Sequence, residues 1–181
     1  MFLDLKFHDI PNTVAGAVRE ATRLGVFMLN VHASGGGAML RAASESAAKA
    51  AKDFAVPRPI CLAVTVLTSL ERRELETELG VHATVESHVL QLAEIARGAG
   101  MDGCVASARE IASLRNALGR RWVIVTPGIR SSAEVSGDDQ ARTATARAVI
   151  GAGADYLVVG RPITKAADPA AAAAALLEEI R

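Results

Sequence analysis

Two opposite charges stand two residues apart near the start of the chain, Asp4 and Lys6, and a second carboxylate, Asp9, follows three residues after Lys6. In an extended segment successive side chains alternate faces, so Asp4 and Lys6 share one side while Leu5 and Phe7 take the other. Charges aimed from a strand end toward a protein interior are costly unless they pair or are put to use. An acid–lysine pair can do either. It can close the strand end as a rim ion pair, or hold an ammonium beside a reacting atom as cation and proton donor. Pro11 suits the first turn of a following helix, which leaves Asp9 in the connection between strand and helix.

Further polar residues follow later β-rich runs: His32, Thr68, Ser107, Arg130 and Arg161. Gly160-Arg161, at the end of one such run and before a helical segment, offers backbone N–H groups and a guanidinium to an anion such as phosphate. A solvated turn has the same composition, and a strand-end hydroxyl accounts equally for Thr68. His8 and His32 read as hydrogen-bonded structural histidines, and His82 and His88 fall in or near a helix without a signal. Cys61 and Cys104 lie in apolar runs and are expected as buried free thiols rather than a disulfide framework. Neither has a His at metal-ligand spacing, so no metal site is expected.

The elements that must position these residues alternate from end to end. Strands are predicted at Phe2–Phe7, Val26–Val31, Ile60–Leu67, Gly103–Ala106, Trp122–Thr126 and Tyr156–Val159. The first helix carries Val14, Ala17, Val18, Ala21 and Leu24 on one stripe. Further helices are expected over 38–54, 71–79, 84–98, up to about Leu118, over 142–151, and as one Ala-rich helix closing the chain. Pro127 to Gln140 is the longest loop and has a lid-like composition. Six β–α units with nearly continuous apolar strands imply a parallel sheet covered by helices. An open doubly wound sheet and a closed barrel both fit that order. Polar residues after successive strands favour the barrel, as does the missing Gly-rich dinucleotide fingerprint. An eight-stranded barrel takes about 250 residues, so the count resembles a barrel short of two units.

Length and composition set the outer bounds. The 181 residues suffice for one domain, and no linker or composition break divides 1–181. Lys and Arg number 20 against 20 Asp and Glu, which gives no electrostatic reason to expect nucleic acid or a membrane surface as partner. No apolar run nears the roughly 18 residues of a membrane span, and the charged N-terminus is unlike a signal peptide. The expected location is the cytoplasm.

The run Asp4-Leu5-Lys6-Phe7-His8-Asp9-Ile10-Pro11-Asn12-Thr13 resembles the signature of the orotidine 5′-phosphate decarboxylase family, in which Asp-x-Lys-x-x-Asp ends the third strand of a (β/α)8 TIM barrel. The wider suprafamily of sugar-phosphate decarboxylases and aldolases shares Asp-x-Lys-x-x-Asp but not usually the Ile-Pro-Asn-Thr that follows. The resemblance continues through residues 31–36, 64–69, 126–130, 137–142 and 156–163, which are similar to the ends of strands 4, 5, 7 (with its closing loop) and 8 of that barrel. It implies a cofactor-free lyase acting on a small nucleotide, with Lys6 as the cation and acid at C6, Asp4 beside the departing carboxylate, and Asp9 reaching into the neighbouring subunit of a homodimer. It further implies that Thr13, Thr68 and Ser69 contact the nucleotide, and that Arg130, Gln140, Gly160 and Arg161 hold its phosphate. The family's first two strands, which supply a further site Asp and the Lys that completes the charge array, are absent here. On that reading the chain is an N-terminally truncated form, and an inactive nucleotide-binding remnant or a sugar-phosphate enzyme of the same suprafamily are its alternatives.

Overall fold

A computed structural model describes residues 1–130 and 144–181. Strands β1 (Phe2–Phe7), β2 (Met28–His32), β3 (Ile60–Val64), β4 (Gly103–Val105) and β5 (Val123–Pro127) are followed by two short strands, β6 (Ile129–Arg130) and β7 (Ala144–Thr145), and then by β8 (Tyr156–Val158). The main sheet has the order β1-β2-β3-β4-β5-β8, and every pairing in it is parallel. Among the described residues β6 and β7 pair only with each other. Helices α1 (Pro11–Arg23), α2 (Gly36–Asp53), α3 (Arg72–Thr77), α4 (Val85–Gly98), α5 (Ile111–Leu118), α6 (Ala146–Ala152), α7 (Arg161–Thr164) and α8 (Pro169–Glu179) connect the strands and close the chain.

Strand order decides between the two architectures that fit the sequence. A doubly wound sheet reverses its order at a switch point and so places helices on both faces. Here the strands follow one another in chain order, and right-handed crossovers then deliver the connecting helices to the same side. Helix α1 packs on α2, α2 on α4 and α4 on α5. The apolar side chains divide accordingly. Leu29, Val31, Cys61, Ala63, Cys104 and Ile124 belong to the large cluster shared with the helices. Their strand neighbours Met28, Leu62 and Val125 form a smaller cluster with Phe2, Ile60, Val105, Val123 and Val158 on the opposite, concave face. The main sheet of the described residues is six strands of a (β/α) barrel.

Sequence signals account for most element boundaries. Pro11 opens α1 as expected, and Leu24 is exposed rather than part of the stripe because the helix ends at Arg23. Thr84 caps α4 by accepting from the Ser87 backbone N–H, and Thr145 caps α6 in the same way through Ala148. Helix α6 therefore begins at Ala146, later than the expected 142, which itself lies outside the described residues. The Ala-rich closing helix is two helices. The chain leaves α7 at Thr164, and Asp168 caps α8 through the Ala171 N–H, with Pro169 in its first turn.

At the N-terminal ends of the strands a device recurs. Asp102, just before β4, accepts from the Cys61 backbone N–H at 2.8 Å and takes both its oxygens to Arg58 Nη1. Asp155, just before β8, accepts from the Ile124 N–H at 2.8 Å and from Arg115 Nη2 at 2.5 Å. Arg115 is almost used up: its other donors reach the carbonyls of Gly153, Gly119 and Trp122. Each Asp–Arg pair thus ties one strand start to its neighbour. Between them, β4 and β5 approach so closely that a Cβ on Gly103 would lie 2.2 Å from the Val123 carbonyl oxygen. Both cysteines are free and buried, and burial pushes each thiol up to about 12.

Candidate active site

The C-terminal end of β1 is not a regular strand. Phe2 and Leu3 pair with Met28 and Leu29, but the next pairing is Phe7 with Val31, so four residues of β1 span the length of two on β2. The surplus is a bulge at Asp4-Leu5-Lys6, and Lys6 takes φ 50°, a left-handed conformation uncommon outside glycine. Phe2 still packs on the concave face, and Leu3 and Phe7 on the helix face. Leu5, expected beside Phe7, is instead 59% exposed, because the bulge carries it out of the alternation.

The bulge brings the two charges together. Lys6 Nζ donates to Asp4 Oδ1 at 2.8 Å, and both side chains remain partly exposed. They line a cleft of about 180 Å³ on the concave side with Phe2, Val64, Val66, Thr68, Pro127 and Val158. An ammonium held by a carboxylate above an apolar floor is suited to stabilising negative charge that develops on a planar ligand. His32 ends β2 close by, with its ring centroid 5.2 Å from that of His8. Burial, followed by the neighbouring His8 and Lys6, holds its pKa below the ordinary imidazole value.

Of the sequence-predicted residues, Asp4, Lys6 and Thr68 share this cleft. Ser69 follows Thr68 as an exposed residue outside the lining. Asp9 does not line the cleft. Its Oδ1 accepts from the Ile10 N–H at 2.6 Å, and Ile10 itself is 67% exposed. Thr13 is exposed in the first turn of α1. Gly160 caps α7 and its carbonyl accepts from the Ile163 and Thr164 N–H groups, while Arg161 is the exposed first residue of that helix. Arg130 lies in β6, and Gln140, with most of the loop around it, falls outside the described residues.

One residue at the site was missed from sequence. Asn30 is completely buried in the middle of β2 and touches both members of the charged pair. Its signal was an amide inside an otherwise apolar strand, Met28-Leu29-Asn30-Val31. A larger depression, about 490 Å³, lies at the opposite end of the sheet, lined by Arg58, Arg97, Asp102 and Arg121 over Met101 and Trp122. It sits at the strand N-termini, the end that in barrels carries stability rather than chemistry, and the charge pair places the candidate site elsewhere. Among the described residues no group of three or more His, Cys, Asp or Glu side chains could hold a metal ion, and no helix is long and apolar enough to cross a membrane.

A parallel barrel sheet with an acid–lysine pair at a strand's C-terminal end defines a class: the barrel enzymes whose chemistry gathers at that face. The comparisons with known proteins narrow it. The chain belongs to the orotidine 5′-phosphate decarboxylase / HUMPS family, whose model matches residues 1–176. It is 54% identical to the orotidine 5′-phosphate decarboxylase of Moorella thermoacetica over 180 residues, which are 99% of this chain and 71% of that protein. The Chromobacterium violaceum enzyme of the same name is also 54% identical, with 99% of this chain and 70% of that protein covered. Among solved structures, the orotidine 5′-phosphate decarboxylase of Lactobacillus acidophilus superposes with a TM-score of 0.84 at 36% identity, covering 99% of this chain and 75% of that one. The family is one of carbon–carbon lyases, and the barrel expectation holds with it.

Proposed function

We propose that this site decarboxylates orotidine 5′-phosphate to uridine 5′-phosphate, a step of pyrimidine nucleotide synthesis. The observation that carries the reading is the Asp4–Lys6 pair, 2.8 Å apart at the open end of the cleft, in a chain 54% identical to relatives of that name. The bond from C6 to the carboxylate breaks with its electron pair left on C6, CO2 departs, and Lys6 delivers a proton from Nζ to C6. The neutral amine regains its proton from solvent. Asp4 orients the ammonium before that transfer, and it sets a negative oxygen beside the carboxylate that must leave. No cofactor takes part.

The remaining residues follow the same reading. Thr68, in the cleft, contacts the pyrimidine together with Ser69, and Thr13 contacts the nucleotide near its ribose and phosphate. Gly160 and Arg161, with Arg130 and Gln140, take the phosphate. Asp9 serves the site of a second copy in a homodimer. Its absence from the cleft of its own chain and the exposed Ile10 next to it support that assignment.

The test is to incubate the purified chain with orotidine 5′-phosphate and follow CO2 and uridine 5′-phosphate, with Lys6→Met as control. Turnover that the substitution abolishes supports the proposal. Tight binding of uridine 5′-phosphate without turnover would make the chain a nucleotide-binding remnant, and neither binding nor turnover would sink the assignment.

A further inference from the structure

We propose that Asn30 is a positioning residue for catalysis: its buried amide holds the backbone bulge that presents Lys6 and orients Asp4 against it. This rests on the reading of Asp4 and Lys6 given above. Asn30 follows Met28 by two residues, so it faces the concave side, one layer beneath the charged pair and opposite Leu62 of β3. Its side chain is fully buried. Oδ1 accepts from the Lys6 backbone N–H at 2.8 Å, and Nδ2 donates to Asp4 Oδ1 at 2.5 Å. The orientation of the amide is fixed by these partners. Reversed, it would set NH2 against N–H and carbonyl against carboxylate.

Both bonds follow from the bulge. Between Leu3 and Phe7 the regular ladder with β2 is interrupted, so the Lys6 N–H needs a partner other than a strand carbonyl. Asn30 supplies it from the side chain of the facing strand. The left-handed backbone at Lys6 is thereby held from outside its own segment, which is the condition under which such a conformation persists. The same amide anchors the carboxylate oxygen that also receives the Lys6 ammonium. One buried side chain thus fixes the backbone of the proton donor and the orientation of its partner. An apolar residue of similar size would fill the space but could do neither. A displacement of about 1 Å at a reacting group costs on the order of 100-fold in rate.

The experiment compares wild type with Asn30→Leu and Asn30→Asp in the decarboxylation assay, with folding checked by circular dichroism and Trp122 fluorescence. Asn30→Leu is expected to stay folded and lose about 100-fold in kcat. Its KM should move by less than about threefold, because the phosphate grip is untouched. Asn30→Asp sets a second carboxylate against Asp4 at neutral pH. Once protonated it can again donate to Asp4 and accept from the Lys6 N–H, so its kcat relative to wild type should recover as pH falls. A purely structural role would give neither the split between kcat and KM nor that pH-dependent rescue. Folded Asn30→Leu with wild-type kcat would overturn the proposal. If neither variant folds, hydrogen exchange of the wild-type Lys6 amide decides: protection upholds the clamp, and exchange at the rate of an open amide overturns it. Wild type without turnover would instead sink the decarboxylase reading, and the same exchange measurement would then judge the clamp alone.

Discussion

Lys6 combines two demands that oppose each other, and the conflict can be measured. Its φ of 50° places a side-chain-bearing residue in left-handed backbone, which costs about 1–2 kcal/mol for a residue with a Cβ and little for glycine. Replacing Lys6 by Ala or by Gly removes the same ammonium and the same partly exposed ion pair, itself within about 1 kcal/mol. The pair therefore cancels when the two variants are compared. In ordinary extended backbone Gly is less stable than Ala by roughly 0.5–1 kcal/mol, through the greater freedom of its unfolded chain. At position 6 the strain term opposes that and should exceed it, leaving Lys6→Gly more stable than Lys6→Ala by about 0.5–1 kcal/mol. For a chain of this size that is a difference of roughly 1–4 °C in Tm. Urea unfolding followed by the fluorescence of Trp122, the lone tryptophan and a buried one, measures it directly. Both variants should lack decarboxylation. If Lys6→Ala proves as stable as Lys6→Gly or more so, the bulge holds no strain and the account of how Lys6 is presented fails.

Three other expectations follow from the description above. Gly103→Ala should destabilise by about 3 kcal/mol or more, the upper range for overpacking, because the obstacle is the Val123 backbone and not a side chain that can turn aside; the urea midpoint reports it. Cys61 and Cys104, with thiols held near 12 by burial, should resist alkylation at pH 8 in the folded protein and both react in denaturant, as counted by mass. His32 has its pKa lowered on folding, so below about pH 6.5 the unfolded chain binds more protons than the folded one, and the stability from neutral His32, full above that pH, is lost as pH falls toward the lowered value. His32→Gln should accordingly show a smaller drop in urea midpoint between pH 7.5 and 5.5 than wild type.

Periodicity and punctuation made the elements legible. The stripe Val14, Val18 and Ala21, the proline at 11 and the threonine at 84 mark helices where the structure has them. The break between α7 and α8 was also written in Asp168-Pro169, a cap followed by a helix-opening proline, but the surrounding alanines concealed it. Alternation alone did not give the strand order, since it is compatible with helices on one face or two; the polar residues after successive strands were what favoured the barrel that the structure has. The ten-residue run around Asp4 and Lys6 pointed to the site, yet alternation alone described it as a plain strand. A bulge depends on the partner's register, and that register is a property of two segments brought together. Asn30 was hidden for the same reason. Its meaning lies in what faces it across the sheet, 24 and 26 residues away in sequence.

The Asp–Arg ties at the strand starts have a consequence for how this fold can change. Asp102 with Arg58 and Asp155 with Arg115 secure neighbouring strands at the end remote from Lys6, and neither pair lines the cleft. Durability and reactivity are thus encoded in separate residues on separate surfaces. Substitutions lining the cleft can therefore change its shape while the fastenings at the far end stay constant. A combinatorial library that varies the cleft and spares the strand starts thus has a natural line along which to cut.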